Sequence, residues 1–385
     1  MRILVDVLPL VGLDTGIARY LRNLYGTIEA LPDPPSMDIV YFDGRKTHLS
    51  IPRAAQPARW SKAVTALWRL PAPVTFTLRC ARWIAYEQQL QRITKPGSYD
   101  LYHATSFVPA AVTDIPQVFS LYDLSLICYP QTHPTERVWF FRYWSRRRLD
   151  YATHILTISQ YMREEICRLL GWPEEKVTAV PLAPARHFSP RPLEAVALVR
   201  KRLGLPKEYL LFVGSLEPRK NIGLAVQALT RCRHDIPLVL VGWTAWGDKR
   251  WLAEAQLHRR RPRLIALGYT DDETLACLYS GATALVYPSL YEGFGLPILE
   301  AMACGCPVIC SNTSSMPEVA GEAAHLIDPL DPQDLASAID QVLDASDYRQ
   351  HLIRAGLKRA AGFSWERTAR QTRSVFQAIL SEARS

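Results

Sequence analysis

Glu292 and Glu300, with seven residues between them, bracket a glycine loop in the stretch ATALVYPSLYEGFGLPILEAMACGCPVICSNTSSMPEV. A buried strand over 284–287 is expected to run into a loop holding Glu292, Gly293 and Gly295. Pro297 suits the first turn of the following helix, where its missing N–H costs nothing. Gly305 and Pro307 then stop that helix. A glycine-flexed loop that opens a helix offers free backbone N–H groups and the positive end of the dipole, and a diphosphate binds readily there. Glu300 lies one turn inside the helix, so the two carboxylates point into the same neighbourhood. They would repel a phosphate unless they faced hydroxyls, which a ribose and a hexose supply. The alternative is that both glutamates only cap or solvate a helix start.

The stretch VGSLEPRKN follows what reads as the first strand of a second half. Arg219 and Lys220 sit just past the strand end, ahead of a helix. Two cations there suit the charge that develops on a departing nucleoside diphosphate, and losing one preorganised donor of this kind costs about 10²–10³ in rate. No DxD metal motif occurs in the chain. Without a metal, Arg219, Lys220 and the helix dipole are the groups left to offset the diphosphate. The competing reading is a solvated basic turn.

Short β-rich runs alternate with amphipathic helical stretches, as in parallel α/β sheets. MRILVDV reads as a strand and TGIARYLRNLYGTIEAL as a helix with Ile17, Tyr20, Leu21 and Leu24 on one stripe. MDIVYFDG, YDLYHAT, IPQVFSLYD and HILTISQYMREEICRLL continue the pattern. PLAPARHFSPRPLEAV, rich in Pro and basic residues, reads as a linker. A fresh series begins at Tyr209: YLLFVGS, a helix from about Asn221, PLVLVGW, RLIALGY, ATALVYPS, CPVICSN and EAAHLID. A last helix starts near Phe363, with Ser364 as N-cap and Glu366 in the first turn. The expected division is 1–190, 191–364 and a terminal helix over 365–385 that packs back on the first domain. Two such halves place a ligand in a cleft at strand carboxyl ends.

A chain of 385 residues with 48% hydrophobic and 21% charged content describes two packed globular domains rather than a disordered or fibrous protein. No apolar run reaches the roughly 20 residues that span a bilayer. The opening MRILVDVLPLVGL is short, carries Asp6 and lacks a small-residue cleavage site, so a buried strand is expected rather than a signal peptide. The eight cysteines form no CxxC pair and no zinc spacing. Buried free thiols fit a reducing cytoplasm. The formal charge of +8 suits a nucleotide, a nucleic acid or an acidic membrane surface.

On these residues the chain resembles glycosyltransferase family 4. The stretch from Glu292 to Glu300 looks like that family's E-x7-E motif, and Gly214 to Asn221 resembles its phosphate-binding turn. Gly268 to Ala276 and Ser314 to Val319 are similar to further family stretches. The resemblance covers nearly all of 209–380 and is patchier before that. It implies a GT-B fold, two Rossmann-like parallel-sheet domains facing a central cleft. It also implies a retaining, metal-independent transfer in which the leaving phosphate deprotonates the acceptor.

The same resemblance implies roles. Glu300 would bind the donor ribose and Glu292 the donor sugar, with Arg219 and Lys220 on the diphosphate beside Gly214 and Ser215. The backbone of Phe294, Gly295 and Leu296 would meet the distal phosphate or sugar, and Tyr269 would border the base. In the first half, Thr15 to Tyr20, with Gly16, resembles the family's glycine loop, and Asp100 to Ala104 and Ser120 to Leu124 its cleft-facing strand ends. Two departures stand out: Asp14-Thr15 replaces a second glycine, and Tyr122-Asp123 replaces a common His-Asp pair. Tyrosine donates a hydrogen bond but holds no positive charge near neutral pH. That leaves His103 as the histidine expected to face the cleft, against a structural reading.

Residues 45–95 carry Trp60, Trp68 and Trp83 among basic residues, and ERVWFFRYWSRRRLD carries Trp139, Phe140, Phe141, Tyr143 and Trp144 beside Arg146, Arg147 and Arg148. Aromatics mixed with cations suit an anionic membrane interface; the alternative is a buried aromatic helix with a solvated basic end. No nucleic-acid-binding motif accompanies them, so no nucleic-acid partner is expected. The expected partners are a nucleotide-diphosphate sugar and a glycan or polyprenyl-diphosphate-linked acceptor, and no cofactor or metal is expected. The leading reading is a cytoplasmic hexosyltransferase, peripheral on the inner membrane face, that builds surface polysaccharide such as lipopolysaccharide O-antigen or exopolysaccharide. Mannosyltransferases that use GDP-mannose look nearest. A GT-B nucleotide-sugar epimerase and a non-catalytic partner of other transferases are the alternatives.

Overall fold

Two parallel sheets organise the chain, each in its own compact unit. One unit is formed by 1–182 together with 365–385 and the other by 183–364. The computed structural model describes residues 1–11, 16–32, 37–52, 70–243, 246 and 263–383. Asp14, Thr15, Trp60 and Trp68 lie outside the described residues.

The first unit carries β1 (Arg2–Asp6), β2 (Asp38–Phe42), β3 (Thr47–His48), β4 (Leu101–Ala104), β5 (Gln117–Ser120), β6 (His154–Thr157) and β7 (Val177–Ala179). Their order in the sheet is β3-β2-β1-β4-β5-β6-β7. Only β3 runs antiparallel, pairing Tyr41 with His48 at the edge. Ile3, Leu4 and Val5 of β1 are fully buried, as both faces of a helix-covered parallel sheet require.

The crossover helix Gly16–Ala30 turns Tyr20, Leu21, Leu24, Tyr25 and Ile28 inward. The helix Gln160–Leu170 is started by Ser159, whose Oγ accepts from Met162 N, and ended by Gly171 in the left-handed region. The terminal helix Trp365–Glu382 packs on Gly16–Ala30. Tyr20 meets Trp365 at 6.3 Å between ring centroids.

The second unit carries β8 (Leu210–Val213), β9 (Leu238–Val241), β10 (Leu264–Gly268), β11 (Ala284–Tyr287), β12 (Val308–Ser311) and β13 (His325–Ile327). The order is β10-β9-β8-β11-β12-β13, parallel throughout. Its core gathers Leu210, Phe212, Leu238, Leu240 and Val286 against Ala225, Leu229, Leu335 and Ile339 of the covering helices. In both sheets the chain works outward to one side and then returns beside its first strand. The reversal falls between β1 and β4 in one and between β8 and β11 in the other. A crevice opens at the carboxyl ends of strands at such reversals, and ligands of open α/β sheets bind there.

Two expectations are corrected. The Pro-rich stretch read as a linker has no helix or strand through Pro192, but its last residues, from Leu193 to Val196, already belong to the helix Leu193–Arg202, which packs on the helix Asp272–Gly281. Prolines crowd its approach, but Pro192 stands before the first turn, where proline is tolerated. The units divide between Leu182 and Ala183 rather than near 190.

Candidate active site

The reversal in the second sheet is where the charged residues meet. Arg219 and Lys220 lie in a single 3-10 turn, Pro218–Lys220, after β8. Asn221 closes that turn at φ 56°, a left-handed conformation asparagine tolerates. Its Nδ2 donates to Pro329 O at 2.8 Å. Glu292 enters from the loop after β11, the strand paired directly with β8.

Glu292 bridges both cations. Lys220 Nζ donates to its Oε1 at 2.5 Å, and Arg219 Nη1 to its Oε2 at 3.0 Å. Arg219 Nη1 also donates to Tyr291 O at 2.5 Å and Nη2 to Glu217 Oε1 at 2.7 Å. The Tyr287 hydroxyl accepts from Lys220 Nζ at 3.1 Å. All four charged side chains are buried, so two cations are matched by two carboxylates away from bulk water. Burial alone would push the Glu292 carboxyl up. The charges of Lys220 and Arg219 outweigh it and hold the group at about 2, so Glu292 stays ionised throughout the neutral range. Removing one partner of such a cluster leaves an uncompensated buried charge.

The loop itself is tied down by the next segment. Ser314 Oγ accepts from Glu292 N at 3.0 Å, while Ser315 Oγ donates to Glu292 O at 2.8 Å and Phe294 O at 3.0 Å. Gly295 starts the helix Leu296–Ala303 at φ 103°, and a Cβ there would press on Ile298 at 3.1 Å. Glycine is therefore required on both counts. Gly295 and Phe294 are buried and Leu296 is half-buried. Glu300, also buried, accepts from the Tyr279 hydroxyl at 3.0 Å. Gly214 and Ser215 follow β8 beside Lys220, and Tyr269, after β10, is exposed.

Gly16, His103, Tyr122 and Asp123 belong to the first unit. Gly16 opens the first crossover helix. Asp123 Oδ1 accepts from Ser125 N at 2.9 Å and from Ser125 Oγ at 2.6 Å, at the start of the short helix Ser125–Cys128. The Tyr122 ring meets Tyr20 edge-on at 5.4 Å, with its hydroxyl oxygen buried. The expectation that His103 faces an open site is corrected. It has no exposed surface, its Nδ1 bonds the Tyr25 hydroxyl and its Nε2 bonds Ser120 Oγ at 2.8 Å. Phe376 closes over the ring at 5.2 Å. Burial pushes its pKa down to about 3, so it is a neutral core group.

Sequence reasoning did not single out Glu217, Tyr279, Tyr287 or the two serines as site residues. Ser314 and Ser315 lie in a segment already similar to the family, which was the available signal. The other three act through contacts that spacing does not reveal.

The two parallel-sheet units, with this cluster at the switch point of one, have the architecture of GT-B glycosyltransferases. Residues 38–183 match the model for Glycosyltransferase Family 4 and residues 198–359 the model for Glycosyl transferases group 1. An O-antigen chain mannosyltransferase B of Escherichia coli is 37% identical over 291 residues, covering 72% of this chain and 74% of that protein. Among solved structures, sucrose-phosphate synthase from Thermosynechococcus elongatus superposes with a TM-score of 0.70 at 21% identity, covering 99% of this chain and 100% of that one. HepE of Anabaena in complex with UDP-glucose superposes with a TM-score of 0.71 at 17% identity, covering 98% and 100%. The chain belongs to the family 4, group 1 glycosyltransferases.

Proposed function

We propose that the enzyme moves a hexose, mannose from GDP-mannose in the leading reading, to a glycan or polyprenyl-diphosphate-linked acceptor during assembly of surface polysaccharide. Transfer proceeds with retention and without a metal. The observation that carries this reading is the bridging of Arg219 and Lys220 by Glu292 at the β8/β11 reversal. Two cations fixed before the donor arrives stabilise charge as it develops, with little reorganisation at the moment of reaction. The mannosyltransferase relative supports the choice of sugar.

In this mechanism the bond from the anomeric carbon to the diphosphate oxygen breaks while the acceptor oxygen bonds the same face. The released phosphate oxygen takes the acceptor proton. Arg219 and Lys220 hold the diphosphate, with Gly214 and Ser215 alongside, and the backbone at Phe294, Gly295 and Leu296 meets the distal phosphate or sugar. Glu292 faces the donor sugar, Glu300 the ribose and Tyr269 the base. Gly16, Tyr122 and Asp123 shape the acceptor side.

Thermal shifts with GDP, UDP, ADP and dTDP, each repeated with EDTA, test the donor site. Stabilisation by one diphosphate, insensitive to EDTA, is expected, and Glu300→Ala should abolish it while the unliganded protein stays folded. No stabilisation by any diphosphate would overturn the donor site and favour the non-catalytic reading.

The acceptor side also bears on location, because an anionic membrane surface fits one face of the first unit. No described helix is long and apolar enough to cross a membrane. The helices Ala72–Ile93 and Thr135–Arg148 pack together. Outward they present Val74, Leu78, Trp139 and Tyr143 among Arg82, Arg142, Arg146 and Arg147. Their only carboxylates, Glu87 and Glu136, are buried, so neither helix sets an exposed acidic group against an anionic lipid. Each surface cation contributes about 1 kcal/mol to such binding. Co-sedimentation with anionic liposomes at low salt is expected, reduced about tenfold or more by Arg146→Glu with Arg147→Glu. Failure of the parent protein to co-sediment would remove the membrane from the proposal.

A further inference from the structure

We infer that Tyr279 is a positioning residue that orients the Glu300 carboxylate toward the donor ribose. The inference rests on the reading of Glu300 as the ribose ligand. Tyr279 lies near the end of the helix Asp272–Gly281 and has no exposed surface. Its ring meets Phe188 edge-on at 5.9 Å and 77°. The hydroxyl donates to Glu300 Oε2 at 3.0 Å across the contact between its helix and Leu296–Ala303.

A glutamate has three rotatable bonds, and its terminal torsion is broad. A carboxylate meant to accept from two neighbouring hydroxyls therefore needs its plane fixed from behind. A phenol has one proton, so Tyr279 occupies a single lone pair on Oε2. A carboxylate offers about four lone-pair sites in all, so one phenol does not exhaust it. A buried tyrosine hydroxyl takes a partner in any case, but here the partner is the group that reads the sugar.

The test compares the parent, Tyr279→Phe and Glu300→Gln in calorimetric titrations with GDP, UDP and their 2′-deoxy forms. The parent should prefer a ribonucleotide, Glu300→Gln should lose the preference, and Tyr279→Phe should lower it about five- to twentyfold. A purely packing role for Tyr279 would weaken both sugars equally and leave the ratio intact. A parent-like ratio in Tyr279→Phe beside a lost ratio in Glu300→Gln would overturn the inference and leave the ribose reading standing. An unchanged ratio in Glu300→Gln, a parent with no preference, or a parent that binds neither diphosphate would overturn the ribose reading and the inference with it.

Discussion

Replacing Lys220 with alanine is expected to lower turnover about 10²–10³-fold, with a smaller change in donor binding. In the proposed mechanism its ammonium charge matters most as the sugar–phosphate bond breaks, so the loss falls on kcat more than on KM. The structure adds a second expected effect. Lys220 Nζ is one of the two cationic partners of the buried Glu292 carboxylate, and removing one partner of a buried pair destabilises by about 3–5 kcal/mol. The double variant Lys220→Met with Glu292→Gln separates the two effects. It removes both charges at once, so it should regain most of the lost stability and remain inactive. Steady-state kinetics beside thermal melts check this. Turnover within about threefold of the parent in Lys220→Ala would remove Lys220 from the reaction.

His103→Ala should have the opposite profile, a large loss of stability with turnover kept in the folded protein. The substitution leaves the Tyr25 and Ser120 hydroxyls without their partner and opens a void beneath Phe376. The combined loss is about 3 kcal/mol or more. The same residue predicts a pH response. Its folded pKa is about 3 because of burial, whereas an unfolded chain protonates it near the ordinary 6.5. Between those values the unfolded state binds the extra proton. Its contribution to stability is therefore complete above about 6.5 and falls by about 1.4 kcal/mol per pH unit as the pH drops toward 3. Glu292 contributes differently. Its carboxyl is held at about 2, so its contribution persists down to the ordinary carboxylate range and is lost only below it. Urea melts between pH 4 and 7 should show a shallower acid decline in a His103 variant. A folded His103→Ala protein without turnover would return the histidine to the chemistry.

The strand runs were readable because a parallel sheet covered on both faces demands unbroken apolar segments such as Ile3 to Val5 or Ala284 to Tyr287. Strand β7, of three residues, is buried only at Val177, and the edge pair β3 has two residues. Neither carries an apolar run, so neither was legible. The helix Leu193–Arg202 was hidden by the prolines before it. In the site, the residue types at 219, 220, 292 and 300 were readable from chain spacing. Their mutual neutralisation was not, because Lys220 and Glu292 are 72 positions apart and meet only through the β8/β11 pairing. Tyr279 and Glu300 meet across two helices, which local sequence does not specify. His103 misled for a related reason: a strand-end histidine reads the same whether a cavity or a phenylalanine from residue 376 lies above it.

The membership of Trp365–Glu382 in the first unit has a consequence for biosynthesis. Everything that builds the second unit has been made once residue 364 is added, while the first still lacks Phe376, Ile379 and Leu380, buried side chains of that helix. Order of completion on the ribosome is thus the reverse of order in the gene. Through most of synthesis, the nascent amino-terminal half carries an unfilled apolar seam along Gly16–Ala30. A chaperone acting on this enzyme would have its longest window there.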